Sequence, residues 1–543
     1  MKRKAVAAVL TAVMVASMFT GCGSDKGSSS AKSTSAASAA NDTVDEDGKV
    51  NGIMYQEGLP LVDEGDYTFS IFCDDSSESG EFIMLDEFKK QTNVDVDLKI
   101  YPYETATERL NLDLNSGDYA DVIGGWTLSD NAILTYGVNQ GVFIPLEDYF
   151  EKYCPNISAI LDLPGVREKM TAPDGHIYTI PYVCADSTVG YSPYINTKWL
   201  ENVGMSMPTT TDEFEAVLKA FKEQDANGNG DASDEIPFST DPNNKHIEAM
   251  AGYFGLPMNK LGIAIQNEKV VYGGVSNTYR EFLSWFHKLY ADGLVDVELY
   301  TQDSSTWEGK GNQDLYGVSI AYGSNEFTGI PAAEERGDFD SMPVLNTDKG
   351  GIWLRDTEGF SVYRTQAVIT NKAEHPEIIC RWFDNAFALE NGIGCNRGPV
   401  GVIVNKEDDG YHAIDTTTLS EEDQEKYSWG NLWPQSLPKY LPADFEFVEE
   451  HPMYDEKKAT EEAYEANLTK EIIPSYWIDL DKIDTFSDTN TAIKDFFEQQ
   501  QAQFVCGELD IDNDADWQAY VDGMYSLGLE DWVATQGIEE IAK

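Results

Sequence analysis

Positive charge is scarce in this sequence. Its 543 residues carry 38 Lys and Arg against 95 Asp and Glu, a formal net charge of −57. A field of that sign repels phosphate backbones and anionic lipid surfaces, which excludes general nucleic-acid binding and lipid-headgroup binding. Histidine is also rare, at positions 176, 246, 287, 375, 412 and 451. No HExxH, GxSxG, Walker A or strand-linked GxGxxG pattern occurs, so the common signatures of metalloproteases, serine hydrolases and nucleotide-binding enzymes are missing. The seven cysteines include no CxxC pair and no zinc-like spacing with histidine. Cys73, Cys154, Cys184, Cys380, Cys395 and Cys506 lie far apart, and a chain of this size needs no disulfide framework, so free and mostly buried thiols are expected. Beyond the first twenty residues no run is apolar enough to cross a membrane.

Hydrophobic residues make up 41% and aromatics 12%, too rich a content for a disordered acidic chain. At about 100–200 residues per domain, two to four domains are expected.

The N-terminus indicates export. Lys2, Arg3 and Lys4 precede an uncharged apolar run from Ala5 to Phe19, which fits a secretory h-region better than a membrane anchor. The run ends Phe19-Thr20-Gly21-Cys22, which resembles a bacterial lipoprotein signal. Residues 1–21 would be removed, and Cys22 would carry the lipid on the outer face of the cell membrane. Losing three basic and no acidic residues makes the mature chain more negative still. Residues 23–40 are almost wholly Ser, Ala, Gly, Lys and Thr, and a flexible tether is expected over residues 22–60.

The body opens as a βαβ unit. Tyr67–Cys73 alternates, Glu81–Lys90 places Phe82, Leu85 and Phe88 at helical spacing, and Val94, Val96, Leu98 and Ile100 alternate again, predicting two parallel strands. A helix stopped by Gly117 and a strand over 120–123 follow, running into Gly124-Gly125-Trp126. Ligands in open α/β sheets bind beyond the carboxyl ends of strands, so Trp126 is either a ligand platform or a core residue. Thr210 and Glu213 fit a capping box for a helix that buries Phe214, Val217, Leu218 and Phe221. The C-terminal third reads as helix-rich, with acidic faces such as Glu461–Glu465 turned to solvent.

The sharpest chemical motif follows that helix. Asp225, Asn227 and Asn229 stand at the first, third and fifth positions of a loop with Gly230 at the sixth. Asp231 follows, then Asp234 and Glu235. This is how an EF-hand-type calcium loop begins, alternate oxygens pointing inward around a glycine turn. The twelfth position is Ile236, not Glu, so either Asp234 or Glu235 would close a shortened loop over 225–235. The alternative is a surface loop rich in Asx-turns without metal. A bound calcium would be structural.

Aromatic residues also stand in polar, glycine-rich contexts: Trp307, Tyr322, Trp353 beside Arg355, and Trp429 with Trp433. Sugars offer C–H faces to aromatic rings and hydroxyls to polar rims, so such platforms suit carbohydrate.

The order of motifs resembles family 1 extracellular solute-binding lipoproteins. The resemblance rests on the lipobox and tether, Gly141-Val-Phe-Ile-Pro145-Leu146, Cys154-Pro155-Asn156, Ile180-Pro181, Tyr194-Ile-Asn-Thr-Lys-Trp199-Leu200 and the ending Phe504-Val-Cys-Gly507 with Trp517. The loop at 225–235 is similar to that of alginate- and other oligosaccharide-binding members. The resemblance implies an α/β, two-lobed periplasmic-binding-protein-like (type II) fold with crossing hinge strands. One lobe would span 61–185 plus about 360–435, the other 186–359 plus about 436–543. It implies a binding protein without catalysis, expected as a monomer. Such a protein captures an oligosaccharide between the lobes and delivers it to the permease subunits of an ABC importer. Trp126, Asp186, Tyr191, Tyr322, Trp353, Arg355 and Trp429 would line the cleft. The acidic excess disfavours polyanionic sugars, so a neutral oligosaccharide is expected. A cell-attached carbohydrate-active enzyme and a calcium-stabilised adhesin remain the alternatives, because 95 acidic residues neither propose nor exclude a catalytic carboxylate pair.

Overall fold

The computed structural model describes residues 42–75, 81–241, 246–329, 337–442, 445, 447–448 and 452–542. The signal segment 1–21, Cys22 and the tether up to residue 41 lie outside the described residues.

The chain is a two-lobed α/β protein. In chain order the first lobe begins with β1 (Tyr67–Asp74), α1 (Ile83–Thr92), β2 (Val94–Tyr101), α2 (Tyr103–Ser116), β3 (Val122–Gly124) and β4 (Thr179–Ala185). The second lobe supplies β5 (Ser192–Asn196), α3 (Thr211–Glu223), β6 (Ile236–Thr240), β7 (Tyr316–Ala321), β8 (Phe339–Ser341) and β9 (Trp353–Arg355). The chain then returns through β10 (Phe360–Ile369) to the first lobe, and crosses again to α4 (Pro452–Tyr464) and β11 (Leu468–Ile472) in the second. Helix α5 (Ile483–Cys506) leads the helical C-terminal part.

The first sheet has the order β2-β1-β3-β10-β4 and the second β8-β5-β7-β6. As the βαβ pattern predicts, β1 pairs parallel with β2, and also with β3. Gly117 ends α2 in the left-handed conformation, at φ 76°. Thr210 caps α3 by accepting from Glu213 N–H at 3.2 Å, while Glu213 Oε2 reaches back to Thr209 N–H at 2.8 Å. The four apolar residues of α3 are fully buried.

Each sheet carries its own core. Phe69, Ile71, Phe88, Trp382 and Trp433 pack in the first. Trp199, Phe214, Phe238, Phe282 and Trp353 pack in the second, joined by Phe497, Phe504 and Trp517 of the C-terminal helices. Leu437 and Tyr440 pack with the first core, so the last return to the second lobe falls after residue 441 and not near 436.

The expected tether extends too far. Residues 42–60 fold onto the first lobe, through a hairpin pairing Lys49–Val50 with Met54–Tyr55. Val50 and Met54 are fully buried. Asp42 accepts from Tyr153 Oη at 2.7 Å, and Asn51 donates to Glu377 at 2.8 Å. A few apolar residues suffice because the lobe offers them a preformed surface. Met54→Ala is therefore expected to cost about 2–5 kcal/mol in urea unfolding, as for a buried core methionine. A tether residue would cost nothing measurable.

The six described cysteines are free. Cys73, Cys154, Cys380 and Cys395 are buried, Cys184 is half-buried and Cys506 is exposed.

Candidate functional site

Strands β4 and β5 belong to different sheets, and the segment between them crosses the lobes. Its partner is the segment between β9 and β10. Asp186 N–H donates to Gly359 O at 3.1 Å, and Asp356 N–H to Thr188 O at 3.0 Å, so the two crossings pair as hinge strands.

Asp186 sits at their centre. Its Oδ1 accepts from Ser187 N–H at 2.8 Å and from Tyr322 Oη at 3.0 Å. Its Oδ2 accepts from Ser361 Oγ at 2.5 Å and from Tyr363 Oη at 3.4 Å. One carboxylate thus orients a tyrosine from each lobe.

Helix α4 holds the hinge from the second lobe. Glu461 Oε1 accepts from Ser187 Oγ and Thr188 N–H at 2.8 and 2.9 Å, so this acidic side chain clamps the hinge and is not a solvated face. Lys457 donates to Gly190 O and Tyr322 O, each at 2.6 Å, and lies 3.9 Å from the Tyr322 ring centroid. Burial lowers its pKa to about 8, against the pull of Asp356, Glu326 and Asp186. Asp356 accepts from Gly190 N–H at 2.7 Å, and a Cβ at position 190 would collide with that carboxylate.

Burial pushes the Asp356 pKa up to about 6, which the Gly190 N–H partly offsets. Between its ordinary 3.8 and about 6 the folded state holds the extra proton. This contribution to stability is complete below the lower value and lost as pH rises through the upper one. Asp356→Asn removes that loss. Its stability relative to the parent should therefore improve between acidic and neutral pH, read by urea unfolding at both. A constant gap would contradict it.

Between the lobes lies a cavity of about 430 Å³, lined by Asp186, Tyr191, His246, Tyr322, Asp356 and Tyr363 among others. Tyr191 stacks on His246 with centroids 4.0 Å apart and an interplanar angle of 11°, and meets Tyr322 edge-on at 6.1 Å. Burial lowers the His246 pKa to about 4, leaving a neutral ring.

On the first lobe Trp126 packs edge-on against Tyr363 at 5.4 Å, and Tyr363 stacks on Tyr182 at 5.5 Å. Trp126 is 44% exposed, so it is not a core residue. Its backbone is fixed by buried Asp74, which accepts from Trp126 N–H at 2.9 Å and Thr127 N–H at 2.6 Å. This turn requires glycine at 125: φ is +139°, and a Cβ would collide with the Asp74 carboxylate. Trp429, 56% exposed, stands further along the same lobe. Lys439 Nζ lies 5.8 Å from the Trp429 ring and 5.9 Å from Tyr182. Trp126 and Trp429 lie outside the cavity lining, and Trp126 meets it through Tyr363.

Two expected residues are placed differently. Trp353 borders the cavity but is only 1% exposed, packed between Tyr253 and Tyr464. Arg355 faces an adjoining cavity and is held by Glu465 at 3.3 Å and Thr469 O at 3.2 Å. Trp307 and Trp433 are core residues. Sequence reasoning missed His246, Tyr363, Tyr182, Asp356 and Lys457, because no local pattern marks them and only the crossing strands bring them together.

The loop at 225–235 is a separate site in the second lobe. Asn227 and Asn229 amides donate to the two Asp234 oxygens at 3.3 and 2.7 Å. Asp225 Oδ2 accepts from Gly230 N–H at 3.0 Å, and Glu235 Oε1 from Ala226 N–H at 2.8 Å. The other oxygens, Asp225 Oδ1 and Glu235 Oε2, are buried without a partner among the described residues. Burial raises the Glu235 pKa. Two orphaned carboxylate oxygens within an all-oxygen donor set fit a hard divalent cation such as calcium.

Two α/β lobes, paired crossing strands and an aromatic cavity between them define a two-lobed binding protein. The chain belongs to the bacterial extracellular solute-binding protein family, whose pattern matches residues 76–392. Among curated proteins it is 33% identical over 335 residues to the fructooligosaccharide ABC transporter substrate-binding protein FusA of Streptococcus pneumoniae serotype 4, covering 60% of this chain and 61% of that protein. It is 28% identical over 280 residues to lipoprotein LipO of Bacillus subtilis, covering 50% and 52%. These alignments therefore span less than two thirds of each relative. The solved structure of S. pneumoniae FusA in complex with kestose superposes with a TM-score of 0.74 at 26% identity, over 86% of this chain and 98% of that one. A FusA EF-hand mutant with fructo-nystose gives 0.74 at 27%, over the same shares. Alginate-binding protein AlgQ2 without calcium ion gives 0.71 at 22%, over 89% and 99%, and shares the fold.

Proposed function

We infer that this chain is the capturing subunit of an ABC importer and takes a neutral oligosaccharide between its lobes. The observation that carries the reading is the aromatic lining contributed from both sides, Tyr363 on one lobe and Tyr191 and Tyr322 on the other, with the exposed Trp126 packed against Tyr363. Flat rings flanked by hydroxyls and amides match the alternating C–H faces and hydroxyl rims of a sugar. FusA, a fructooligosaccharide-binding relative, supports the sugar class and the ABC partnership.

The mechanism is a shift of conformational population. A ligand touching rings of both lobes binds the closed arrangement better than the open one, and the paired crossings are where rotation is absorbed. Asp186 couples the two, because its carboxylate bonds hinge backbone and a tyrosine from each lobe. No bond is broken in the ligand, and the permease receives it from the closed form.

Calcium would be held by Asp225, Asn227, Asn229, the Asp231 backbone and Glu235, with Asp234 as the alternative to Glu235, and would stiffen the loop between α3 and β6. A diacylglycerol on Cys22 would keep the protein at the outer membrane face as a monomer. Cys22→Ala should release it to the medium.

Calorimetric titration with a panel of neutral oligosaccharides, fructo-oligosaccharides first, tests the binding reading. Micromolar or tighter binding without sugar release is expected. Release of shorter sugars would favour an enzyme, and no binding to any member would overturn the reading.

A further inference from the structure

Two cysteines of the first lobe meet inside its core. Cys154 stands at the corner between the helices Glu147–Tyr153 and Pro155–Leu161, and Cys380 lies on the helix Pro376–Ala386. Their thiols hydrogen-bond to each other. Cys154 is 1% exposed and Cys380 fully buried, both among the apolar side chains of the first core. The corner is held against that helix by a neighbouring carboxylate. Asp384, one turn beyond Cys380, accepts from Ile157 N–H at 2.7 Å and from Asn156 Nδ2 at 2.9 Å.

The other described cysteines have different neighbours. Cys73 contacts Ser436 Oγ at 3.2 Å, Cys184 meets Tyr182 and Cys506 meets Tyr290. Cys395 is buried with Lys439 as its nearby charge. The family is extracellular, and outside the cell thiols held side by side are not kept reduced.

We propose that Cys154 and Cys380 form a disulfide as the exported chain folds, and that it staples the first lobe. The oxidant is a low-molecular-weight disulfide. One cysteine thiolate attacks it, forms a mixed disulfide and expels one small thiol. The second cysteine then attacks the mixed disulfide at the protein sulfur and expels the other. Two protein thiols and one small disulfide thus give one protein disulfide and two small thiols, with two electrons passing from the protein sulfurs. Pairing belongs to folding, because the finished core shields both sulfurs and burial holds the Cys154 thiol protonated. The same shielding protects the bond once it has formed.

The position gives the bond its leverage. Cys154 precedes the first crossing to the second lobe, and Cys380 follows the return through β10. The bond therefore fastens the two separate passages of the chain through the first lobe and encloses the excursion from β5 to β9 in one loop. Closing a long loop restrains the unfolded chain most. Neither cysteine lines the interlobe cavity, so the staple leaves the ligand path alone.

Peptide mapping of the full chain tests the proposal. The reduced, urea-unfolded chain is refolded with glutathione disulfide, its free thiols are alkylated, and it is digested without reductant. A cross-linked pair of peptides carrying Cys154 and Cys380 is expected, and it should disappear on reduction. The thermal midpoint of the oxidised chain should lie about 4 °C or more above that of the reduced chain. C154A/C380A should lose this redox dependence, whereas Cys73→Ala should keep it. The map of the parent chain decides the matter even where the double variant fails to fold. Full alkylation of both cysteines after oxidative refolding overturns the proposal, and so does a link from either one to a different cysteine. A cross-link that leaves the midpoint unmoved overturns the staple.

Discussion

Trp126→Ala is expected to weaken oligosaccharide binding by about 1–3 kcal/mol, on the order of 5- to 150-fold, with little change in the thermal midpoint. The two readouts separate because of where the ring sits. Trp126 is 44% exposed and leans on Tyr363 by an edge, so truncation removes a free aromatic face without opening a core cavity. Its backbone stays in place, since Asp74 holds the N–H groups of residues 126 and 127 and not the indole. Tyr191→Ala should lose affinity on the same scale and also lose stability, because it strips His246 of its stacking partner. Trp353→Ala, by contrast, should act almost wholly on folding. Titration paired with a melting curve distinguishes the three. Unchanged affinity in the Trp126 variant would remove that ring from the ligand path.

Chelation of calcium is expected to lower the thermal midpoint by several degrees. A cation at about a hundred times its dissociation constant stabilises the folded state by about 2.7 kcal/mol, and each kcal/mol moves the midpoint of a domain of some 150–250 residues by about 2–4 °C. Asp225→Ala should abolish the calcium dependence. The closing position is decided by comparing Glu235→Gln with Asp234→Asn. Glu235 presents a buried oxygen with no partner, whereas both Asp234 oxygens already receive amide hydrogens from Asn227 and Asn229. Glu235→Gln should therefore cost most of the calcium response, and Asp234→Asn the smaller part. A midpoint indifferent to calcium in the parent chain would reduce the loop to its internal Asx-turns.

The two sites were legible in the sequence to different degrees. The 225–235 loop was legible there as a candidate calcium loop, because such a loop is written in consecutive residues at fixed offsets. What the sequence left open, Asp234 or Glu235, depends on which carboxylate the surrounding backbone N–H groups already satisfy. Trp126 was legible as a strand-end residue after two glycines, and the structure adds the reason, a buried Asp74 where a Cβ would stand. The cleft was legible only in part. Asp186, Tyr191 and Tyr322 do meet, yet His246, Tyr363 and Lys457 join them from distant positions in the chain. Glu461 read as solvated because helical charge runs usually are, and only the packing of its helix against the crossing strands turns it into a hinge clamp. Residues 42–60 read as tether because their composition is polar, but two buried side chains and a turn are enough once a lobe is there to receive them.

By itself, then, the sequence determined the chemistry that is local. An N-terminal run shaped for export, parallel strands from alternating residues, a helix cap, a glycine turn and an oxygen-rich loop all follow from neighbours in the chain. It also set the charge balance, which disfavours polyanionic partners before any fold is considered. Only the tertiary structure decided which strands share a sheet, and so where the chain crosses between lobes. Strands β4 and β5 part into different sheets, and Asp186 at the crossing between them meets Tyr322 and Tyr363. The rings of two lobes then face one cavity. Those juxtapositions come from long-range packing of two hydrophobic cores, which no local periodicity encodes.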